Sequence, residues 1–418
     1  MSQTDYRYDL GLFQRTGVEL EYMIVDADSL DVKPIADELI KEVTGEYTSD
    51  AEPDGDDGEV SWSNELALHV IELKTQTPAK SLERLPALFQ DHVGRINQLL
   101  AEMNARLMPG AMHPWMDPHR ELKLWPHEYN PVYETFDRVF SCQGHGWANL
   151  QSTHINLPFA NDDEFGRLHA AIRLVLPIIP ALSAASPAYD GSVTGIADNR
   201  LDVYRLNARR VPSVAGKVVP EPVFTRAAYE NDLLGTIYKD LAPLDPDGVL
   251  HHEWANSRGC IARFDRGAIE IRLIDNQECP QADLAIVAMI VTALKWMVAE
   301  RWVSTAAQRA IPTDPMHATL LDVIREGERA IITHEPYLRA WGIDAPRISA
   351  GDLWRTLRDE LLPADSPFAP ALSVILDKGT LSTRLRAALG KSPSRDHMFT
   401  VYRDLCDCLR DGQLFAAD

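Results

Sequence analysis

The stretch Ala268-Ile-Glu-Ile-Arg-Leu-Ile274 predicts a β-strand that carries Glu270 and Arg272 on one face. Apolar residues alternate with these two, and successive side chains of a strand point to opposite faces. A carboxylate beside a guanidinium suits a metal ion held next to a transferring phosphoryl group. The carboxylate binds a hard cation, and the arginine neutralises charge on the phosphoryl oxygens.

A second predicted strand near the N-terminus, Gly17-Val-Glu-Leu-Glu-Tyr-Met-Ile-Val25, places Glu19 and Glu21 together on one face. Residues two apart along a strand are separated by roughly 6–7 Å. That spacing suits ligands to two neighbouring divalent ions, which lie about 3.5–4 Å apart in catalytic pairs. Taken alone, the segment also fits a half-exposed antiparallel strand with a solvated acidic face.

Two further acids, Glu65 and Glu72, lie seven residues apart. They would share a face on a helix but not on a regular strand. A helical turn leading into a strand over residues 70–74 would bring both carboxylates to one site. Taken singly, each also fits an ordinary surface acid.

The predicted strand over residues 150–157 places His154 and Asn156 on one face. Histidine is a common metal ligand, and the asparagine amide can hydrogen-bond a carbonyl or a hydroxyl group. A lone histidine in a strand also fits a core residue with satisfied hydrogen bonds. The prediction that His154 is a metal ligand therefore depends on acids lying close to it.

These residues together make five carboxylates, one histidine and one arginine, mostly on strands. Oxygen-rich sites of this kind select Mg²⁺ or Mn²⁺ over zinc. Carboxylates, Mg²⁺ and an arginine are the parts of phosphoryl transfer from ATP. The sequence has neither the P-loop motif Gly-x4-Gly-Lys-Ser/Thr nor the Rossmann motif Gly-x-Gly-x-x-Gly, so the phosphates would be held by another arrangement.

Composition narrows the classes of partner. The 418 residues hold 41 Lys and Arg against 62 Asp and Glu, a net charge of −21. That balance argues against nucleic acid and anionic membranes, while ATP stays possible because divalent cations screen its phosphates. The five cysteines, an odd number, favour reduced thiols in a cytoplasmic protein. The two most apolar stretches, over residues 172–188 and 282–294, are predicted to be buried helices, so no membrane is expected.

The order of predicted elements favours an α+β fold with a mainly antiparallel sheet backed by helices, because strands are dispersed among helices. Ser81 and Pro109 are expected to bound one long amphipathic helix, and further helices are predicted over 162–185 and 281–301. Residues 109–140 and 191–221 are predicted to be long structured loops, and the chain after 301 is predicted to be helical. We expect a catalytic core over residues 1–300 and a helical extension packed on it over 301–418.

In this order, over about residues 15–300, the segments resemble the glutamate–cysteine ligase superfamily of ATP-dependent carboxylate–amine ligases. That resemblance implies a fold related to glutamine synthetase, with a funnel-like active site in the sheet. It implies that Arg272 contacts the transferring phosphate, that Glu270 acts beside it in catalysis, and that His154 and Asn156 belong to the nucleotide site. A substrate carboxylate would be bound by Arg200 and, on weaker matching, by Arg205. The metal ligands it implies are Glu19, Glu21, Glu65, Glu72, His154 and Glu270.

The resemblance also implies a reaction that uses ATP and Mg²⁺ or Mn²⁺. ATP would phosphorylate a carboxylate, by analogy the γ-carboxylate of L-glutamate, and an amine would attack the acyl phosphate, under loops that close to exclude water. Cysteine is the family's default amine, but the sequence leaves the identity of the acceptor open. It also leaves the oligomeric state open, and a homo-oligomer is possible. A different donor or amine in a specialised pathway is one alternative. A metal-dependent amidohydrolase and a catalytically silent relative are two others.

Overall fold

A computed structural model describes residues 6–416, and a large antiparallel sheet lies at its centre. The order of its strands is β2-β3-β4-β1-β6-β10-β9, and β5 pairs with the far end of β1. Two short hairpins, β7 with β8 and β11 with β12, lie apart from it. The strands are β1 Gly17–Asp26, β2 Asp50–Ala51, β3 Val60–Asn64, β4 Val70–Thr75, β5 Ala105–Met108, β6 Ser152–Pro158, β7 Ala188–Tyr189, β8 Ser192–Val193, β9 Cys260–Arg263, β10 Ala268–Asp275, β11 Ile331–Ile332 and β12 Ile348–Ser349.

Helices cover one face of this sheet and make up most of the chain after residue 300. Short 3-10 segments (Leu176–Ile178, Glu253–Ala255, Gly327–Arg329) and a π-helical stretch (Tyr229–Leu234) join some of them. The α-helices are α1 Ala36–Thr44, α2 Leu85–Glu102, α3 Pro118–Glu121, α4 Asn130–Phe140, α5 His145–Ala148, α6 Asp162–Val175, α7 Pro180–Ser183, α8 Asn199–Asn207, α9 Arg226–Ala228, α10 Gly235–Leu241, α11 Pro280–Val298, α12 Thr305–Ala310, α13 Thr313–Glu326, α14 Glu335–Ala340, α15 Ala350–Leu361, α16 Ala369–Lys378, α17 Leu381–Leu389 and α18 Arg395–Asp411.

The alternation along each strand decides which face is buried. In β1, Leu20 and Tyr22 are fully buried in the main hydrophobic core, together with Ile155 of β6 and Ile271 of β10. The acids between them point to the opposite face, because successive side chains alternate. The predicted α+β architecture with a mainly antiparallel sheet is confirmed.

Helix α11 forms the centre of the helical layer and contacts α2 and α6. Its 19 residues are long and apolar enough to cross a membrane, but 78% of the most apolar window is buried inside the fold. This is the burial pattern of a core helix. The helices predicted over 281–301 and 162–185 are confirmed, the second as α6 followed by a 3-10 turn and α7.

The long predicted helix ends earlier in the structure than the sequence indicated. The long helix expected from Ser81 to Met108 is shorter, since α2 ends at Glu102 and the chain continues into β5. Asn104 takes a positive φ of 51°, and the left-handed turn there reverses the chain so that β5 pairs with β1. In the sequence, the apolar residues of β5 happen to continue the spacing of the apolar residues in α2. The predicted helix was therefore too long.

The two predicted loops are also partly helical. The region 109–140 contains α3 and α4, and the region 191–221 contains α8. In α4, Phe136, Val139 and Phe140 are buried at helical spacing, and Pro131 lies in the first turn, where proline is tolerated. Residues 109–140 are rich in proline and aromatic residues, a composition typical of structured loops, so the helical spacing in α4 was not recognised in the sequence.

The helices after residue 300 share cores with the rest of the chain. Leu385, Met398 and Leu405 pack in one cluster with Met23 of β1 and Met108 of β5. The main core likewise contains side chains from both sides of residue 300. The division into a catalytic core and a helical extension stays a prediction.

Candidate active site

The register of the central strands brings the predicted acids together on the open face of the sheet. On β1, Glu19 lies opposite Lys74 of β4 on one side and His154 of β6 on the other. Two residues further along, Glu21 lies opposite Glu72. Side chains directly opposite each other on neighbouring strands are about 4.5–5.5 Å apart at Cβ, so the groups face one another closely.

Strand β10 adds the acid–arginine pair to the same face. Glu270 lies opposite Asn156, two strands away from Glu19. Its Oε1 accepts hydrogen bonds from Arg272 Nε at 3.0 Å and Nη2 at 2.6 Å, and Arg263 Nη1 is 3.5 Å from Oε2. Burial raises the pKa of Glu270, but the charges of Arg272, His154 and Arg263 together bring it below its usual value.

His154 is held between two acids. Its Nδ1 is 2.8 Å from Glu19 Oε2, and its Nε2 is 2.9 Å from Ser152 Oγ and 3.6 Å from Glu21 Oε1. Asn156 Nδ2 donates to Glu19 Oε1 at 2.8 Å. Burial opposes both charges, yet His154 lowers the pKa of Glu19 to about 2, and the surrounding acids raise the pKa of His154 above its usual value.

Glu65 and Glu72 are crowded by their neighbours. Burial and the charge of Glu21 raise the pKa of Glu65 to about 8. Burial and the charges of Glu19 and Glu65 raise the pKa of Glu72 well above its usual range, although Ser63 Oγ donates to it at 2.6 Å. Carboxyls this close cannot all be ionised without a nearby cation.

Two groups of side chains could each hold a metal ion. Within the described residues, ligand atoms of Glu19, Glu72 and His154 all lie within 4.8 Å of one another, and so do those of Glu21, Glu65 and Glu72. Glu72 belongs to both groups. Carboxylate oxygens with one imidazole are donors that suit Mg²⁺ or Mn²⁺. Five of the six predicted ligands are therefore brought together, and Glu270 is outside both groups.

These residues form the floor of a cavity of about 690 Å³. Above the floor the cavity is bounded by α4, α5, α8 and the segment around residues 252–257. Besides His154 on the floor, its lining contains seven rings: Tyr129, Tyr133, Phe136, Trp147, Tyr204, His252 and Trp254. The site thus combines an acidic floor with an aromatic wall.

Comparison with known proteins then decides the family. The model of glutamate–cysteine ligase family 2 matches residues 15–335. The chain belongs to this family. It is an ATP-dependent carboxylate–amine ligase, which confirms the resemblance and favours ligation over the amidohydrolase alternative.

Relatives of this family member span bacteria and archaea. An uncharacterized protein of Archaeoglobus fulgidus is 30% identical over 96% of this chain and 99% of its own length. A protein of Corynebacterium glutamicum named "Putative glutamate–cysteine ligase 2" is 25% identical over 65% of this chain and 64% of its own length.

Solved structures show the same fold. The glutamate–cysteine ligase of Francisella tularensis in complex with AMP superimposes with a TM-score of 0.56 at 12% identity, over 99% of this chain and 91% of that one. The ligase PafA in complex with the ubiquitin-like protein Pup gives 0.50 at 11% identity, over 98% and 78%. At these identities the likeness concerns the fold alone.

Three residues that the family resemblance assigned to substrate or nucleotide binding are buried, paired with an acid or outside the cavity lining. Arg200 lines the cavity but is only 2% exposed, with Nη1 3.4 Å from Asp275 Oδ1 and Nη2 donating to Arg272 O at 2.9 Å. Arg205 is not among the lining residues and pairs with Asp202 at 2.8 Å. Asn156 also lies outside the lining and acts on Glu19 instead.

Sequence reasoning missed several groups of this ligase site. Lys74 lies two residues after Glu72 on β4 and so shares its face. The period of two along this strand could have predicted its position. Arg263 precedes the turn into β10. His252 also lines the cavity, and no local pattern indicated it.

Proposed function

We propose that this ligase joins the γ-carboxylate of L-glutamate to an amine, using ATP and Mg²⁺ and passing through an acyl phosphate. The observation that carries the proposal is the register of β1, β4, β6 and β10. It places two candidate cation sites beside the Glu270–Arg272 pair in one cavity. Family membership supports the same reaction class.

In the first step, an oxygen of the substrate carboxylate attacks the γ-phosphorus of ATP. The bond between that phosphorus and the bridging oxygen breaks, and ADP leaves with the electron pair. Arg272 is the group that stabilises the transferring phosphoryl charge. Its backbone is fixed on both sides, since its N–H donates to Gly259 O at 3.0 Å and its carbonyl accepts from Arg200 Nη2.

In the second step, the amine nitrogen attacks the acyl carbon. The bond between that carbon and the phosphate oxygen breaks, phosphate leaves with the electron pair, and the amine proton passes to the phosphate or to water. The sum is carboxylate, amine and ATP giving amide, ADP and phosphate. Water would hydrolyse the acyl phosphate, so it must be kept out of the site. The helices above the floor would exclude it.

The carboxylates would hold the divalent cations. Glu72 would be shared between one ion on Glu19 and His154 and another on Glu21 and Glu65. Bound there, Mg²⁺ supplies neutralisation of the phosphate charge. The raised pKa values of Glu65 and Glu72 support this fit, since a crowd of buried acids is stabilised by a cation.

We also propose a cytoplasmic location and small-molecule substrates alone. All five cysteines are free, and four of them are buried, which suits a reducing compartment.

The proposal is tested by mass spectrometry of the purified protein with ATP, Mg²⁺, L-glutamate and a panel of amines. We expect a product of mass glutamate plus amine minus water, formed together with ADP, and its loss in Glu270→Gln. The matched control is Glu42→Gln, an exposed acid on α1 far from the cavity lining. Absence of glutamate-dependent ADP with every amine would overturn the assignment.

A further inference from the structure

The two ends of the cavity differ in chemistry. At the end where β10 begins, the lining carries Arg263, which lies opposite Ala268, and Arg266 in the turn after β9, and Lys74 lies opposite Glu19 on the neighbouring part of the floor. Phosphate groups are attracted to such a cluster. The triphosphate of ATP therefore fits this cationic end, with its γ-phosphate directed along the strands toward Arg272.

The opposite end is aromatic. Tyr133 Oη accepts from Asn64 at the end of β3 at 3.1 Å, and Tyr204 Oη donates to Ser257 O at 2.9 Å just before β9. Both anchors belong to the end of the sheet beyond Glu21 and Arg272. The acceptor amine must approach the acyl carbon from a side that the nucleotide does not occupy, and this end provides it.

Two of the rings at this end, Trp147 and Phe136, pack against each other. Trp147 Nε1 donates to Asn207 O at 3.2 Å, which fixes α5 against α8, and the centroid of its ring is 5.2 Å from that of Phe136. Trp147 and Tyr133 are only partly buried in the protein itself, so their rings remain available to a ligand. Flat apolar rings of this kind bind apolar or aromatic groups.

Cations are scarce at the aromatic end. Among the described lining residues, only Arg200 and Arg272 lie there, and each is already paired with a carboxylate, Asp275 or Glu270. Arg272 faces the phosphoryl group, so Arg200 alone remains for the α-carboxylate of glutamate. An amino-acid acceptor would bring a second carboxylate into an apolar surface without a partner, which is costly.

We infer that the surface formed by Tyr133, Phe136, Trp147 and Tyr204 is the acceptor pocket and that it selects an apolar or aromatic monoamine lacking a carboxylate. The inference rests on the proposed glutamyl transfer and adds the class of the acceptor. The apolar surroundings also favour the uncharged form of the amine, which is the nucleophile.

The test is a competition assay with ATP, Mg²⁺ and L-glutamate in which phenethylamine, isoamylamine and cysteine are offered together and each conjugate is counted by mass spectrometry. Hydroxylamine is run separately, because this small neutral nucleophile traps an activated glutamyl group without needing the pocket. KM values for the preferred amine and for ATP are then measured in Trp147→Ala. Trp147→Leu serves if the alanine variant does not fold. The control is Trp296→Ala, a partly exposed tryptophan of α11 outside the cavity.

We expect phenethylamine or isoamylamine to exceed cysteine at least tenfold in kcat/KM, since pocket contacts of this size discriminate roughly 10- to 200-fold. In Trp147→Ala, KM for the amine should rise about tenfold or more while KM for ATP changes far less. Glutamyl hydroxamate together with a preference for cysteine would overturn the acceptor class and leave the proposed ligase intact. A rise in KM for ATP alone in Trp147→Ala would show that the rings hold adenine and would also overturn it. No hydroxamate and no ADP would instead contradict the glutamyl transfer on which the inference rests.

Discussion

Glu19 and His154 lie directly opposite each other on β1 and β6, and His154 Nδ1 is 2.8 Å from Glu19 Oε2. The pair keeps the carboxylate ionised in a buried setting, because the hydrogen bond and charge of the imidazole outweigh the cost of burial. Burial and neighbouring acids raise the pKa values of Glu65 and Glu72, so a cation bound beside them would favour their ionised forms.

Glu72→Gln should abolish stabilisation by Mg²⁺, because Glu72 belongs to both groups of candidate ligands. The wild-type melting temperature should rise by at least about 2 °C between EDTA and saturating Mg²⁺, and that of the variant should not. Without metal, the variant should be at least as stable as the wild type, since it removes a crowded buried acid. Differential scanning fluorimetry measures both, with Glu42→Gln as the matched control. An unchanged Mg²⁺ response in Glu72→Gln would contradict the assignment of this residue.

Arg272→Lys should lower kcat by about 10²- to 10³-fold, the range found when a group that stabilises transition-state charge is lost. Lysine keeps the charge but cannot reproduce the two hydrogen bonds to Glu270 Oε1. KM for glutamate should change much less. Steady-state ADP release gives both constants. A variant with wild-type kcat and a raised KM would instead make Arg272 a binding residue.

Arg200→Lys tests whether Arg200 positions its neighbour. Its Nη2 donates to Arg272 O, and its Nη1 is near Asp275. Arg200→Lys should raise KM for glutamate more than it lowers kcat, because Arg200 is the cation left for the α-carboxylate of glutamate, and Asp275→Asn should have little effect. A larger fall in kcat that Asp275→Asn reproduces would show instead that Arg200 acts by positioning Arg272.

His169 should make the fold sensitive to acid. Burial, followed by the charge of Arg173, lowers the pKa of His169 to about 3, whereas the unfolded value is about 6.5. The unfolded chain therefore binds the proton more readily, so this contribution to stability is complete above pH 6.5 and is lost as pH falls toward 3. From pH 8 to pH 5 the loss is about 2 kcal/mol.

His169→Phe should remove that part of the acid sensitivity, and phenylalanine suits the site because the histidine ring stacks on Phe165. Urea unfolding at pH 8, 6.5 and 5 compares the two proteins. Equal losses of unfolding free energy on acidification would show that His169 does not carry the effect.

The sequence predicted the parts of this molecule that depend on short-range alternation. Glu19, Glu21, Glu270 and Arg272 lie on the expected faces of β1 and β10, because a period of two is visible in a single segment. Which strands are neighbours could not be read directly, since register depends on partners far along the chain. The family resemblance instead supplied the set of residues expected to meet in one site.

The aromatic wall escaped sequence reasoning for a different reason. Phe136, Trp147 and Trp254 come from three separate segments whose meeting depends on tertiary packing. Arg205 was the opposite case, since the family resemblance had assigned it to the substrate carboxylate on weaker matching than Arg200. On α8 the two side chains diverge, because residues five apart on a helix do not share a face, and Arg205 pairs with Asp202 instead.

Following the oxygen of the substrate carboxylate tests the acyl-phosphate mechanism most directly. L-Glutamate labelled with ¹⁸O in its γ-carboxylate is incubated with ATP, Mg²⁺ and the best amine or hydroxylamine, and the released phosphate is analysed by mass spectrometry. Attack of the carboxylate on the γ-phosphorus followed by displacement of phosphate predicts one ¹⁸O atom in the phosphate for each amide formed. Unlabelled phosphate released alongside the amide would contradict activation of the carboxylate by phosphoryl transfer.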